Sequence, residues 1–430
     1  MKMQNVARLI VFLCMMISVI SAEKSTLFNF DDPSKIHDQK RRLGGKKILI
    51  LYWNPAVGLV SAKKEKISAV SKRLRGSAVY KINLYKKLIE HGFNVSLFVV
   101  NDEAVLREAT ELGLPCAGCQ VTGQHRDVLN GIYKQLFAVC AREKVAIIHG
   151  HATDDAKIAT WIAKRLPVKV VITKHTDNHC GGDWMRGIDG VVCVGTESER
   201  KVTKANEEQK LGIKNIMWLA PFFDETRFLN FVPKMSRQEF FQKEFGVTLH
   251  DGPVICCVSN FYYKFKNHTV LLRAMHSLIH DYNIPVQLVL AGMGARFDEM
   301  QQLAKQLKID AHVHFLGHTT KTPEIYYYSD INALTSNQEA FGIVLLEGAL
   351  LKKPLLGTRH TGMEAVVLHE KTGLLFEKGN VHDLAKQLAR LIADQQLRQT
   401  LGQNAYNLVA NHFLTKQGIK QLEKFYASLL

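Results

Sequence analysis

Two carboxylates flank the start of one helix-patterned segment, Ser336-Asn-Gln-Glu339-Ala-Phe-Gly342-Ile-Val-Leu-Leu-Glu347-Gly-Ala, just after a strand-like run, Asp330-Ile-Asn-Ala-Leu334. Ile343, Leu346 and Leu350 recur at helical spacing, so Glu339 belongs to a strand-to-helix loop and Glu347 to the first turns of the helix. Unpaired N–H groups at a helix start receive phosphate, and Gly342 lets it approach closely. A nearby carboxylate can hold ribose hydroxyls, which leaves sugar hydroxyls to Glu339. Taken alone, the segment has a plainer account as a solvent-facing glutamate pair around a buried helix. Strand-like and helix-like runs alternate throughout the chain, which predicts an α/β protein with parallel sheets.

The segment resembles the Glu-x7-Glu signature of retaining nucleotide-sugar glycosyltransferases with the GT-B architecture, the family 4-like group also called glycosyl transferases group 1. Pro354-Leu-Leu-Gly-Thr-Arg-His-Thr-Gly362-Met-Glu364 and Thr372-Gly373-Leu-Leu-Phe376 continue the likeness. Upstream, Val258-Ser-Asn260-Phe and Lys266-Asn-His resemble the family's phosphate-binding arginine and lysine region. The likeness runs from about Lys46 to the C-terminus and is strongest from Val254 to Phe376. It implies two Rossmann-like parallel-sheet lobes with the active site in the cleft between them. It also implies a hexose-like unit moved, with retention, from a nucleoside diphosphate sugar to a glycan or lipid-linked acceptor. By residue, His151 and Glu339 would be catalytic, and Lys266, Gly342, Ile343 and Glu347 would bind the donor. Gly76, Ser77 and His175 would lie on the acceptor side. No metal and no cofactor beyond the donor substrate is implied.

Composition is compatible with this. The chain has 430 residues, 47% hydrophobic and 22% charged, enough for two globular domains. Residues 46–222 read as an N-terminal acceptor-side domain, and 223–405 as a C-terminal nucleotide-sugar-binding domain. A C-terminal crossover helix at 406–430 is implied by the resemblance alone. Strand candidates are Lys46–Tyr52, Val95–Val100, Val145–Ile148, Val168–Thr173 and Gly190–Val194 in the first domain. In the second they are Pro253–Val258, Pro285–Gly292 and Val313–Gly317, after a helical preface at Ser236–Phe245. The crossing between domains falls near Pro221–Phe228, where Phe222 and Phe223 replace the family's usual asparagine-glycine element.

Residues 1–22 have a charged start, Lys2 and Arg8, then an apolar run, Leu9 to Ala22. The run is shorter than the about 20 apolar residues of a full span, which favours a cleaved signal peptide over an uncleaved membrane anchor or a mistaken start, before a polar linker at 23–45. Either of the first two readings places the protein in the secretory pathway or at a membrane, with a cytosolic active site if the leader is retained. The net charge of +16 and the basic stretches Lys63–Lys66 and Lys72–Arg75 suit an anionic membrane surface or a phosphate-linked acceptor. They do not make a nucleic-acid reader, because no recognition fold, aromatic platform or spaced zinc motif accompanies them.

His149-Gly-His151 and His175-Thr-Asp177-Asn-His179 follow strand candidates, where open α/β sheets form their crevice. Neither has the spacing of a closed zinc site. Cys116-Ala-Gly-Cys119 leaves a disulfide, a metal half-site or a surface accident open, and Cys256 and Cys257 cannot both face one side of a strand. Asn260 or Tyr262 stands where the family has its phosphate-binding arginine. Lys264 restores charge there but lacks arginine's bidentate geometry. This departure keeps a noncatalytic sugar-nucleotide or carbohydrate-binding protein of the same fold as the alternative.

Overall fold

The computed structural model describes residues 42–53, 76–100, 102–119 and 125–430. Two parallel sheets dominate it. The N-lobe sheet comprises β1 (Lys47–Trp53), β2 (Asn94–Val100), β3 (Cys116–Cys119), β4 (Val145–Gly150), β5 (Lys169–Lys174), β6 (Gly190–Cys193) and β7 (Asn215–Trp218). The C-lobe sheet comprises β8 (Val254–Val258), β9 (Gln287–Ala291), β10 (Val313–Gly317), β11 (Ile331–Leu334), β12 (Leu355–Thr358) and β13 (Gly373–Phe376). Their strand orders are β3-β2-β1-β4-β5-β6-β7 and β10-β9-β8-β11-β12-β13. Both are doubly wound, so the order reverses between β1 and β4 and again between β8 and β11. Ligand crevices form at such switch points, outside the carboxyl ends of the strands.

Seven helices matter below: α1 (Gly76–Glu90), α2 (Thr196–Gln209), α3 (Arg237–Phe245), α4 (Thr322–Tyr328), α5 (Ile343–Leu350), α6 (Gln395–His412) and α7 (Thr415–Ala427). Local chemistry sets their ends. Ser236 and Glu239 form a reciprocal capping box at the start of α3, and left-handed Gly246 ends it.

Each sheet is covered on both faces, which explains the near-continuous apolar strands. Along β1, Ile48, Ile50 and Tyr52 enter one N-lobe core while Leu49 and Leu51 enter the other. In β8, Cys256 and Cys257 point into opposite C-lobe cores. Cys116 lies on β3 and makes no disulfide with a described cysteine. Among the described residues no group of His, Cys, Asp and Glu is suited to hold a metal ion. Nor is any described helix long and apolar enough to cross a membrane. The leader at 1–22 and the basic stretches Lys63–Lys66 and Lys72–Arg75 lie outside the described residues.

The chain crosses between lobes twice. At the first crossing, Phe222 packs into the N-lobe core and its neighbour Phe223 into the C-lobe core. At the second, α6 packs on the C-lobe through Ala405 and Val409, whereas α7 returns to the N-lobe. There it buries Ile419, Leu422, Phe425 and Tyr426, each stabilising by roughly 1.5–3 kcal/mol. Glu225 ties the crossings together: its carboxylate accepts from the Thr415 hydroxyl at 2.6 Å and the Thr415 amide at 3.3 Å.

Candidate active site

The C-lobe switch point brings the β8–α and β11–α5 loops together. After β8 the chain makes a short helical turn, Lys264–Lys266, and Asn267 takes a left-handed φ of 54° before the next helix. This turn is stitched to the loop after β11. The Asn337 amide donates to the Phe265 carbonyl at 2.7 Å, Asn267 Nδ2 to Asn337 Oδ1 at 3.1 Å, and Thr335 Oγ1 to the Asn267 carbonyl at 3.2 Å. Held by these bonds, Lys266 Nζ meets Glu339 Oε2 at 2.7 Å, both side chains being largely buried.

Gly342 adopts φ 94° and ψ 67°, a left-handed conformation that suits glycine, and Ile343 then opens α5. Glu347 lies one turn further along α5, and the Tyr326 hydroxyl on α4 donates to its Oε2 at 3.0 Å. Burial pushes the Glu347 carboxyl up to about 7, against the opposing pull of Tyr326 and Arg227. Tyr326 carries no sequence signal for this contact, which forms between two helices folded together. Asn260, at one of the two arginine-equivalent places, is exposed, and its Oδ1 accepts the Tyr262 amide at 3.3 Å.

On the N-lobe side, β4 and β5 end in a ladder of histidine rings. His149 is buried, bonded through Nδ1 to the Tyr426 hydroxyl at 2.6 Å and through Nε2 to Thr173 Oγ1 at 2.7 Å. Burial lowers its pKa to about 3, so it is neutral at ordinary pH. His151 stacks on it at 4.9 Å and shares a 3.1 Å hydrogen bond with His175 through Nδ1. The backbone of Gly76 and Ser77 opens α1, and the Ser77 side chain lies outside the described residues.

The lobes meet at the loop that bears Glu339. A Cβ on Gly195, just before α2, would sit 2.5 Å from the Ala340 carbonyl oxygen, so this glycine is what permits the approach. Trp218 at the end of β7 packs against Phe341 and Phe413, with ring centroids 6.1 Å apart in each pair. His151 and His175 thus come from one lobe, and Lys266, Glu339, Gly342, Ile343 and Glu347 from the other. Gly195 and Gly362, which hold the Glu339 loop from both sides, carry no sequence cue beyond being glycines.

Two doubly wound parallel sheets that converge on such a cleft define the GT-B class of fold. Solved structures agree. A glycosyltransferase from Rickettsia africae matches with a TM-score of 0.72 at 18% identity, covering 89% of this chain and 98% of that one. Anabaena HepE in complex with UDP-glucose matches with a TM-score of 0.70 at 17% identity, covering 89% and 99%. Residues 238–408 match the family model Glycosyl transferases group 1. The chain is 30% identical over 304 residues to N-acetyl-alpha-D-glucosaminyl L-malate synthase of Bacillus anthracis, which covers 68% of this chain and 77% of that protein. It therefore belongs to the glycosyl transferases group 1 family and is a glycosyltransferase.

Proposed function

We propose that the protein moves a hexose-like sugar from a nucleoside diphosphate sugar to a glycan or lipid-linked acceptor, with retention at the anomeric carbon. The observation that carries this reading is the contact of Lys266 with Glu339 at the C-lobe switch point, directly before the Gly342 turn. In this reading Lys266 and the first amides of α5, from Ile343 on, neutralise the diphosphate as it leaves, a fixed arrangement needing little reorganisation. Glu339 holds the sugar, Glu347 the ribose, and His151 meets the sugar from the N-lobe. No side chain is assigned as a covalent nucleophile. The UDP-glucose bound to HepE supports a nucleoside diphosphate sugar as donor. The basic stretches and the leader support work at an anionic membrane surface.

The test is a screen of purified protein against nucleoside diphosphate sugars, reading thermal stabilisation and released nucleotide together. Stabilisation with release is expected for at least one donor. Absence of both across the panel would overturn the reading. Tight binding without turnover over a broad acceptor panel would favour a noncatalytic binding protein.

Glu347 adds a pH signature. With its carboxyl at about 7, the free protein holds a proton there below that pH. Ribose hydroxyls donating to Glu347 favour the ionised form, so nucleotide uptake releases the proton. UDP affinity should therefore weaken as pH falls through about 7. Calorimetry in buffers of different ionisation enthalpy reads the released proton. A pH-independent affinity would remove Glu347 from the ribose site.

A further inference from the structure

Asp177 stands on the loop leaving β5, two residues past His175. Lys174 Nζ donates to the Asn178 and His179 carbonyls at 2.9 and 3.2 Å, curling the loop back over the strand end. Lys201 on α2 donates to the Asp177 carbonyl at 3.3 Å, so two elements fix the backbone. The carboxylate is treated differently. Its Oδ1 is buried and has no hydrogen-bond partner among the described residues. A buried acceptor without a donor is costly, and native proteins keep few of them.

The other lobe reaches this loop. The Gly195–Ala340 approach brings the Glu339 loop against the start of α2, and α2 supplies Lys201. Burial raises the Asp177 carboxyl above the usual carboxylate range; Lys201 and Lys174 oppose this, while Glu197 and Glu339 add to it. The influence of Glu339 is that of a charge from across the cleft. Lysines already flank the position, so a cation is a poor match for the unfilled oxygen. A metal is a poor match too, since no described cluster suits one. A neutral hydroxyl donor fits both the charge and the setting.

We propose that Asp177 is a specificity-determining residue of the transfer site, receiving a sugar hydroxyl on Oδ1 from the N-lobe side as Glu339 does from the C-lobe side. This rests on the reading of Lys266 and Glu339 as the donor site. The hydroxyl belongs to the transferred sugar or to a sugar-bearing acceptor, and the two sources separate experimentally.

Asp177→Ala and Asp177→Asn are compared with the unaltered protein by calorimetry, after thermal melting has established that both variants fold. Three probes are used: UDP, UDP-glucose, and methyl α-glucoside added to UDP-saturated protein. UDP affinity should be unchanged in both variants. Asp177→Ala should weaken one sugar probe at least about tenfold, the scale of one hydrogen bond to a charged group, and Asp177→Asn should recover part of it. Loss confined to UDP-glucose assigns the hydroxyl to the donor, and loss confined to methyl α-glucoside assigns it to the acceptor. Unchanged affinity for both sugar probes overturns the Asp177 role and leaves the donor site standing, as does UDP weakened in step with UDP-glucose. An unaltered protein that fails to bind UDP overturns the donor site itself, and this proposal with it.

Discussion

Replacing Lys266 with alanine is expected to slow sugar transfer by about 10²–10³-fold, the loss typical of removing one fixed group that stabilises developing charge. The affinity for nucleoside diphosphate should fall as well, because the ammonium faces phosphate in ground and transition states alike. Stability should fall by at most about 3 kcal/mol, the low end for removing one partner of a buried pair. Lys266 fills no core, and its partner Glu339 keeps some solvent contact once unpaired. Calorimetric UDP affinity, released nucleotide and melting temperature, measured on the same preparations, separate these effects. Unchanged UDP affinity in the variant would remove Lys266 from the phosphate site.

Gly362→Ala should produce the second large loss, and by sterics alone. A Cβ at Gly362 would overlap the Ala340 carbonyl and lie 2.8 Å from the Glu339 carbonyl oxygen, both backbone atoms. The Gly362 amide also donates to that Glu339 carbonyl at 2.8 Å. The loop must therefore move, carrying Glu339 with it. A displacement near 1 Å in a positioning group costs about 10²-fold in rate. Overpacking of this kind costs about 1–3 kcal/mol of stability. UDP affinity, assigned to Lys266, the first amides of α5 and Glu347, should fall less than turnover does. Wild-type turnover in Gly362→Ala would show that the Glu339 loop does not need its present position.

The sequence carried the strands that are long and buried on both faces. Lys47–Trp53, Asn94–Val100 and Gln287–Ala291 announce themselves as apolar runs because helices cover both sides of each sheet. The edge strands Cys116–Cys119 and Asn215–Trp218 do not. Each has only four residues, and every residue of the latter keeps partial exposure, so neither shows a buried strand's length or alternation. The placement of Glu339 on a loop and Glu347 on a helix follows from spacing after Gly342, a purely local pattern. Pairing Lys266 with Glu339 joins residues 73 apart, and no local pattern reports such a contact. The aromatic pair at the first crossing shows the same limit. Phe222 and Phe223 are visibly hydrophobic, yet only the folded chain shows them anchoring opposite lobes.

The return of α7 to the N-lobe bears on how the molecule is made. Ribosomes deliver chains from the N-terminus, and domains fold as they emerge. Here the N-lobe is synthesised first, yet the helix that completes one of its cores, with Ile419, Leu422, Phe425 and Tyr426, is translated only after the whole C-lobe. Until then that N-lobe surface stays uncovered and sticky, and the His149 ring waits for its Tyr426 hydroxyl. The nascent N-lobe thus depends on timely translation of the C-lobe, and a pause or truncation within residues 254–412 would leave an aggregation-prone intermediate.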